Sequence, residues 1–416
     1  MWIHPSKAII GEESKTLIGK SVVLGVTGSI ACYRSIDLAR KIMRRGAEVY
    51  PVLSSKASEL ISPTLFEWAT GNIAIVEFSG EVGHIQYAEN ADSMIIAPAT
   101  ANTIAKIANG ISDTSVTLTA IAMKGAKKPV GIVPVMHLHL YRSPRMIKNI
   151  RELEAQGYMI LPPIVEDDKA KMPEVDDIAH FTEVLTLRGR DLTGLKILVT
   201  AGPTREYLDP VRFISNPSSG RMGVSIAKEA YFRGAKVTLI HGPITIDIPS
   251  WIKAIGITST DELLNSVMKE LSKGDYDVVI FAGAPIDFKF KEFYQHKIES
   301  SKGPITVELT LTPKVVHEVR RKYPELYIVG FAAETVSTDD ELIDKAEEKL
   351  RRYGLNMIVA NNVLRRDIGF SSLMNEVYIV DEHGRKLHIP KSRKEEIARI
   401  ILDEIGKTLK STGKNL

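Results

Sequence analysis

The sequence predicts an α/β protein made of two tandem domains, on three observations. Apolar, strand-like runs alternate with amphipathic helical stretches along most of the chain. The alternation lapses once, between residues 162 and 194, and then restarts. Turns rich in small residues close strands in both halves. Residues 21–26, 47–53, 93–97 and 129–135 read as buried strands between helices, the rhythm of a parallel sheet covered on both faces. After Leu161 comes a polar loop carrying Pro162, Pro163 and the charged stretch 166–171, then a helix over 175–187. Arg188-Gly-Arg-Asp-Leu-Thr-Gly194 punctuates the chain, so the domains are expected at 1–190 and 191–416. In the second half, 195–200, 236–240, 277–282, 326–330 and 356–359 read as strands. Residues 376–380 and 386–389 form a hairpin around Glu382-His-Gly384, 391–405 a closing helix, and the tail from Gly406 is expected to fray.

Size and composition exclude several classes. At about 150 residues per domain, 416 residues hold two or three domains with cores of their own. A hydrophobic share of 44% with 25% charged residues is ordinary for a globular chain and excludes disorder or a fibrous repeat as the whole story. With 54 basic against 51 acidic residues, the net charge of +3 leaves no broad footprint for nucleic acid. Cys32 is the sole cysteine, which excludes a disulfide framework and points to a reducing compartment. No apolar run reaches the roughly 18 residues of a membrane helix, and residues 1–20 carry charges where a signal peptide needs its apolar core. The expectation is a cytoplasmic protein with no membrane or nucleic-acid partner.

The first strand leads into Gly25-Val-Thr-Gly-Ser29 and a helix beginning near Ile30. Free backbone N–H groups at such a helix start suit a phosphate, although a tight turn without a ligand has the same appearance. Gly19-Lys20-Ser21 imitates the end of a phosphate-binding loop, but it precedes a strand instead of following one. Ala97-Pro-Ala-Thr-Ala-Asn-Thr103 ends another strand, where Thr100, Asn102 and Thr103 can bond a polar cofactor or Thr100 can simply cap a helix. His84 opens a helix leading into that strand. His137 and His139 make an H-x-H pair with no third metal ligand nearby in sequence, so the metal ligands remain unknown.

Taken in order and spacing, the Gly-x-Thr-Gly-Ser-Ile-Ala turn, His84-Ile, the Ala-Pro-Ala-Thr-Ala-Asn run and the Pro-x-Met segment resemble the homo-oligomeric flavin-containing cysteine decarboxylases, which include the phosphopantothenoylcysteine decarboxylases. The resemblance spans roughly residues 21–165. It implies a flavodoxin-like flavoprotein domain, FMN contacts from Gly28, Ser29, Ser54, Pro98, Thr100 and Asn102, and His84 as the catalytic histidine. This sequence departs from the family at two places. His137 stands where an Asn follows Pro-x-Met, and the flap at 165–173 carries Lys169 and Lys171 but no cysteine. On this reading Lys169 or Lys171 binds a substrate anion and His137, or a water, replaces the cysteine as proton donor.

In the second half, the strand ending at Thr200 is followed by Ala-Gly-Pro-Thr-Arg-Glu206 and then Asp209-Pro-Val-Arg-Phe-Ile-Ser-Asn-Pro-Ser-Ser-Gly-Arg-Met-Gly223. This reads as the first unit of a dinucleotide fold with a long excursion inserted before its glycine turn, and an aperiodic insertion of that length usually has a functional reason. Ser218, Ser219, Gly220 and Gly223 supply donors at the helix start. Ala282-Gly-Ala-Pro-Ile-Asp-Phe288, Gly330-Phe-Ala-Ala-Glu-Thr335 and Ala360-Asn-Asn-Val363 end three more strands, a platform for a base and ribose if they share one sheet edge. Over 195–405 these runs resemble the phosphopantothenate-cysteine ligases, which occur fused behind such decarboxylases.

The resemblance implies a Rossmann-like ligase domain. That domain uses CTP and Mg²⁺ to convert 4′-phosphopantothenate to an acyl-cytidylate, which cysteine then opens. Gly202, Ser218, Ser219, Gly220, Gly283, Ala284, Asp287, Lys297 and Phe331 are implied at the nucleotide, and Lys297 steadies the phosphate charge. Asn216, Arg212 and Ala284 are implied at the acyl group. It further implies flavoprotein trimers and ligase dimers, which combine into a closed dodecamer. Two rival readings are a flavin-binding scaffold without decarboxylase activity in front of an active ligase, and a nicotinamide-dependent dehydrogenase. The second is disfavoured by the absence of G-x-G-x-x-G from both halves.

Overall fold

The structure, a computed structural model, describes residues 4–78, 83–274, 276–365, 367, 369 and 372–411. It divides into two compact units, Met1–Asp191 and Leu192–Leu416.

The first unit is a five-stranded parallel sheet of β1 Ser21–Val26, β2 Glu48–Leu53, β3 Ser93–Ala99, β4 Val130–Pro134 and β5 Met159–Ile160, in the order β2-β1-β3-β4-β5. All seven residues of β3 are buried, which explains why the central strands read as unbroken apolar runs. Val22 stands opposite Ser93 and Gly25 opposite Ile96. The chain order therefore reverses between β1 and β3, and their C-terminal ends open a crevice there. Leu38, Ala39, Ile42 and Met43 form the buried stripe of helix Arg34–Arg44, each large side chain contributing roughly 1.5–3 kcal/mol by burial.

The polar loop expected after Leu161 is instead a hairpin. Ile164–Glu166 pairs antiparallel with Lys169–Lys171, which pairs in turn with Met136–His137. Asp167 and Asp168 take positive φ angles of 46° and 58°, a combination that matches the right-handed strand twist in two-residue hairpins. Sequence composition hid the hairpin because these aspartates replace the usual Asn-Gly.

The second unit holds β6 Lys196–Ala201, β7 Lys236–His241, β8 Lys253–Gly256, β9 Val278–Phe281, β10 Tyr327–Glu334, β11 Met357–Asn362, β12 Met374–Asp381 and β13 Lys386–Arg393. They form one sheet in the order β8-β7-β6-β9-β10-β11-β12-β13. The first six are parallel in the doubly wound dinucleotide order, and the last two form an antiparallel edge. Helices Arg221–Phe232 and Lys394–Ser411 cover one face through Ile226, Ala230, Ile397, Ile401 and Ile405. Leu263, Val267, Val319, Leu342 and Ala346 cover the other. The closing helix starts later than expected because residues 391–393 extend β13. It also continues through Gly406 to Ser411, since Ile405 and Leu409 are buried in the core; the rest of the expected frayed tail, 412–416, lies outside the described residues. The excursion contains a ribbon of Arg205–Tyr207 and Phe213–Ser215, and a second ribbon, Phe288–Phe290 with Leu309–Leu311, carries the arm between them.

Candidate functional site

Each unit gathers its candidate residues at the C-terminal edge of its sheet. In the first, Thr27 fastens the β1 turn to the β3 turn. Its hydroxyl donates to the Pro98 carbonyl at 2.8 Å and accepts from the Thr100 N–H at 3.0 Å. Ser29 Oγ accepts from Ala31 N–H at 3.4 Å, Ser54 Oγ from Ala57 N–H at 3.2 Å, and Thr100 Oγ1 from Thr103 N–H at 3.4 Å. These hydroxyls cap the starts of three separate helical segments, so phosphate-binding and structural roles share the same atoms. A Cβ on Gly28 would lie 2.7 Å from Lys56 Cγ, which brings the turn backbone against the Ser54 segment. Pro98 is buried and Asn102 is exposed at the first turn of helix Ala101–Ala108. Thr27, buried in the middle of the quoted motif, was not singled out as a site residue, although its position between the two glycines was the available signal.

His84 opens helix Gly83–Asn90 with its ring 5.5 Å from that of Phe78. Its buried Nδ1 has no hydrogen-bond partner among the described residues, which is unusual for a native polar atom and typical of a site group. His137 is exposed, and its Nδ1 accepts from His139 N–H at 3.4 Å. Lys169 stands opposite His137 in the strand register. Lys171 is held by Glu166 at 3.0 Å and Asp167 at 3.2 Å, which raises its pKa. Of the two flap lysines, the exposed Lys169 is therefore the one not committed to a flap carboxylate. Arg34 donates to the Met172 carbonyl at 2.9 Å and fastens the end of the flap to the first helix. Cys32 is buried, and burial pushes its thiol pKa up, against two backbone N–H groups that lower it, so it does not stand in for a flap cysteine.

In the second unit a cavity of about 330 Å³ lies over the β6/β9 reversal point. It brings together Asn216, Ser218, Gly220, Gly283, Ala284, Asp287 and Phe331. The remaining expected residues, Gly202, Ser219, Arg212 and Lys297, are not among its lining residues. Gly202 acts beneath it. It has a φ of +76°, and a Cβ there would lie 2.5 Å from Ile244 Cγ2. Gly223 lets the helix seat on the strand, because a Cβ would meet Thr200 O at 2.6 Å. Thr200 Oγ1 accepts from Gly283 N–H at 3.0 Å, and Gly202 O from Ala284 N–H at 2.8 Å. Asn216 donates through Nδ2 to the carbonyls of Ala284 at 3.2 Å and Pro285 at 3.1 Å, leaving its side-chain oxygen as acceptor. Lys314 Nζ lies 2.5 Å from Asp287 Oδ1.

Asp209 organises the excursion. Burial works against its charge. N–H groups of Arg212, Val211 and Ile298 and the Arg212 guanidinium at 2.5 Å outweigh that cost and hold the carboxyl well below the usual carboxylate range. Arg212 also reaches the Ile298 carbonyl at 3.0 Å, so one buried carboxylate ties Arg212 to the arm bearing the exposed Lys297. Arg221, Lys314, Lys349, Asn375 and Lys394 also line the cavity; of these only Arg221 falls within a motif in the sequence. Among the described residues, no group of three or more metal-ligating side chains occurs.

Fold and edge chemistry together define a two-centre α/β protein, with a flavodoxin-order unit and a dinucleotide-order nucleotide unit. Comparison with known proteins agrees. The Flavoprotein family matches residues 10–186, and the DNA/pantothenate metabolism flavoprotein C-terminal domain matches 192–409. The coenzyme A biosynthesis bifunctional protein CoaBC of Thermococcus kodakarensis is 40% identical over 412 residues, covering 98% of this chain and 100% of its own. That of Methanocaldococcus jannaschii is 35% identical, covering 98% and 99%. A crystal structure of the C-terminal domain of a protein of that name is 34% identical and covers 53% of this chain and 99% of its own, with a TM-score of 0.45. The chain belongs to this family of coenzyme A biosynthesis bifunctional proteins.

Proposed function

We propose that the chain catalyses two successive steps of coenzyme A biosynthesis: CTP-dependent ligation of 4′-phosphopantothenate to cysteine, then FMN-dependent decarboxylation of 4′-phosphopantothenoylcysteine to 4′-phosphopantetheine. The observation that carries the ligase half is the Asn216 clamp in the lining of the 330 Å³ cavity. The substrate carboxylate attacks the α-phosphorus, the bond to the β-phosphate breaks and pyrophosphate leaves. The cysteine amine then attacks the acyl carbon and CMP leaves. Both Asn216 donors are spent on carbonyls, so its oxygen accepts an N–H of the incoming amine and orients it. Asp287 and Phe331 seat the nucleotide and Gly220 and Ser218 face its phosphates; Arg212 and Lys297, joined by the Asp209 tie outside the cavity lining, serve the acyl and phosphate charges.

For decarboxylation, the capped turns at Ser29, Ser54 and Thr100, the close approach at Gly28 and the unpaired His84 Nδ1 fit an FMN on the β1/β3 edge, with Pro98 and Asn102 at its rim. FMN, when bound, supplies two-electron oxidation of the cysteinyl side chain and its reversal. His84 takes or holds the thiol proton. Lys169 pairs with a substrate anion, and His137, beside it in the register, delivers the proton that completes the product. The protein works in the cytoplasm as a homo-oligomer, and a dodecamer combines the trimer and dimer symmetries of the two enzyme families.

Asn216→Ala tests the ligase assignment. Acyl-cytidylate should still form and accumulate, visible by mass, while amide formation falls about a hundredfold, the scale of removing one oriented polar group. A variant that never forms the cytidylate would place Asn216 in the first half-reaction instead.

A further inference from the structure

The cavity of the second unit has a cationic wall that the reading above does not use. Helix Arg221–Phe232 starts at Gly220, whose φ is +75° and which provides no side-chain cap. Arg221 lines the cavity beside Lys394, the first residue of the closing helix. Lys394 is only 5% exposed, and its ammonium donates to the Gly369 carbonyl at 2.7 Å. Asn375, from β12, lines the same wall at 6% exposure, and its buried side-chain oxygen has no hydrogen-bond partner among the described residues. Among the described lining residues the sole carboxylate is Asp287, and Lys314 holds it. Two neighbouring cations and a buried unsatisfied amide, beside uncapped helix N–H groups, make an arrangement that an anion stabilises.

We infer that Lys394, Arg221 and Asn375 form the seat for the β- and γ-phosphates of the nucleotide, the part that departs as pyrophosphate. This rests on the nucleotide reading of the cavity and extends it to residues at the far end of the chain. As the carboxylate–phosphorus bond forms and the α–β phosphoanhydride breaks, the electron pair of the broken bond stays on the pyrophosphate oxygen. Lys394 and Arg221 meet that charge. The Asn375 amide, turned about its last torsion, offers N–H to a phosphate oxygen. Burial first, then the neighbouring Arg221 guanidinium, pushes the Lys394 pKa down to about 8.

The test compares CTP with CMP, which lacks the two outer phosphates, by calorimetric titration of the full chain. In Lys394→Met, CTP affinity should fall roughly ten- to a hundredfold, the scale of a lost hydrogen bond to a charged group, while CMP affinity is unchanged. Lys394→Arg should restore most of the loss. Equal loss for CTP and CMP, or no loss for CTP, overturns the assignment. Inorganic pyrophosphate provides a check on the unmodified protein, whatever the fate of the variant on folding. It should compete with CTP and leave CMP binding intact, and failure to compete with CTP also overturns the seat. If the unmodified protein binds neither CTP nor CMP, the nucleotide reading itself is wrong. Normal CTP binding with an unselective Lys394 variant removes the phosphate seat alone.

Discussion

Thr27 and Asp209 show how single side chains build these sites without touching the chemistry. One hydroxyl joins two strand-end turns, and one buried carboxylate joins Arg212 to the Lys297 arm. His84 and His137 occupy different environments in the first unit, one half-buried with no Nδ1 partner among the described residues, the other exposed beside Lys169. Their substitutions should therefore fail at different steps. His84→Asn should abolish CO₂ release from 4′-phosphopantothenoylcysteine. His137→Asn should release CO₂ but accumulate the ene-thiol, detected by mass, because only the final proton lacks its donor. Equal CO₂ loss in both variants would remove the division of labour. At this scale local motifs pointed to Ser218 and Asp287, which line the second unit's cavity. The sequence was silent on Lys394 and Asn375, which reach the cavity only because β12, β13 and the closing helix pack back across the sheet.

Strands and helices were legible wherever one period dominates, as in β1, β3, β6 and helix Val175–Leu187, since buried parallel strands need unbroken apolar runs. Short exposed pieces were not. Strand β8 reads Lys-Ala-Ile-Gly and has no buried residue, so its pairing with β7 carries no hydrophobic signature. What holds this edge is polar. Glu270, at the end of helix Thr260–Leu271, meets Lys253 of β8 at 2.8 Å, the Tyr276 hydroxyl at 3.0 Å, and Lys273. Burial opposes the charge of Glu270, but Lys253, Lys273 and Tyr276 outweigh it and hold its pKa down to about 2. A carboxyl depressed on folding stabilises the fold above its unfolded pKa, and the effect is lost as pH falls toward the folded value. Glu270→Gln should therefore cost roughly 2 kcal/mol at pH 7, and the difference from the unmodified protein should shrink between about pH 4.5 and pH 2. Denaturant unfolding read through hydrogen exchange of the β7 and β8 amides measures it. A deficit that grows on acidification would contradict the network.

At the scale of the molecule, two sheets of different strand order each reverse that order once, and candidate site residues end the strands that flank the reversal. The alternation of strand and helix announced both sheets. The lapse in that alternation separated them, but the flap hairpin was lost within it because charged residues dominate its composition. On this reading both centres work in sequence in one chain. The direct measurement is to incubate the full protein with 4′-phosphopantothenate, cysteine, Mg²⁺ and each nucleoside triphosphate, and to identify every product by mass. With CTP the expected products are CMP, pyrophosphate, CO₂ and 4′-phosphopantetheine. Accumulation of 4′-phosphopantothenoylcysteine without CO₂ would make the first unit a silent scaffold, and absence of the amide product would contradict the ligase as well.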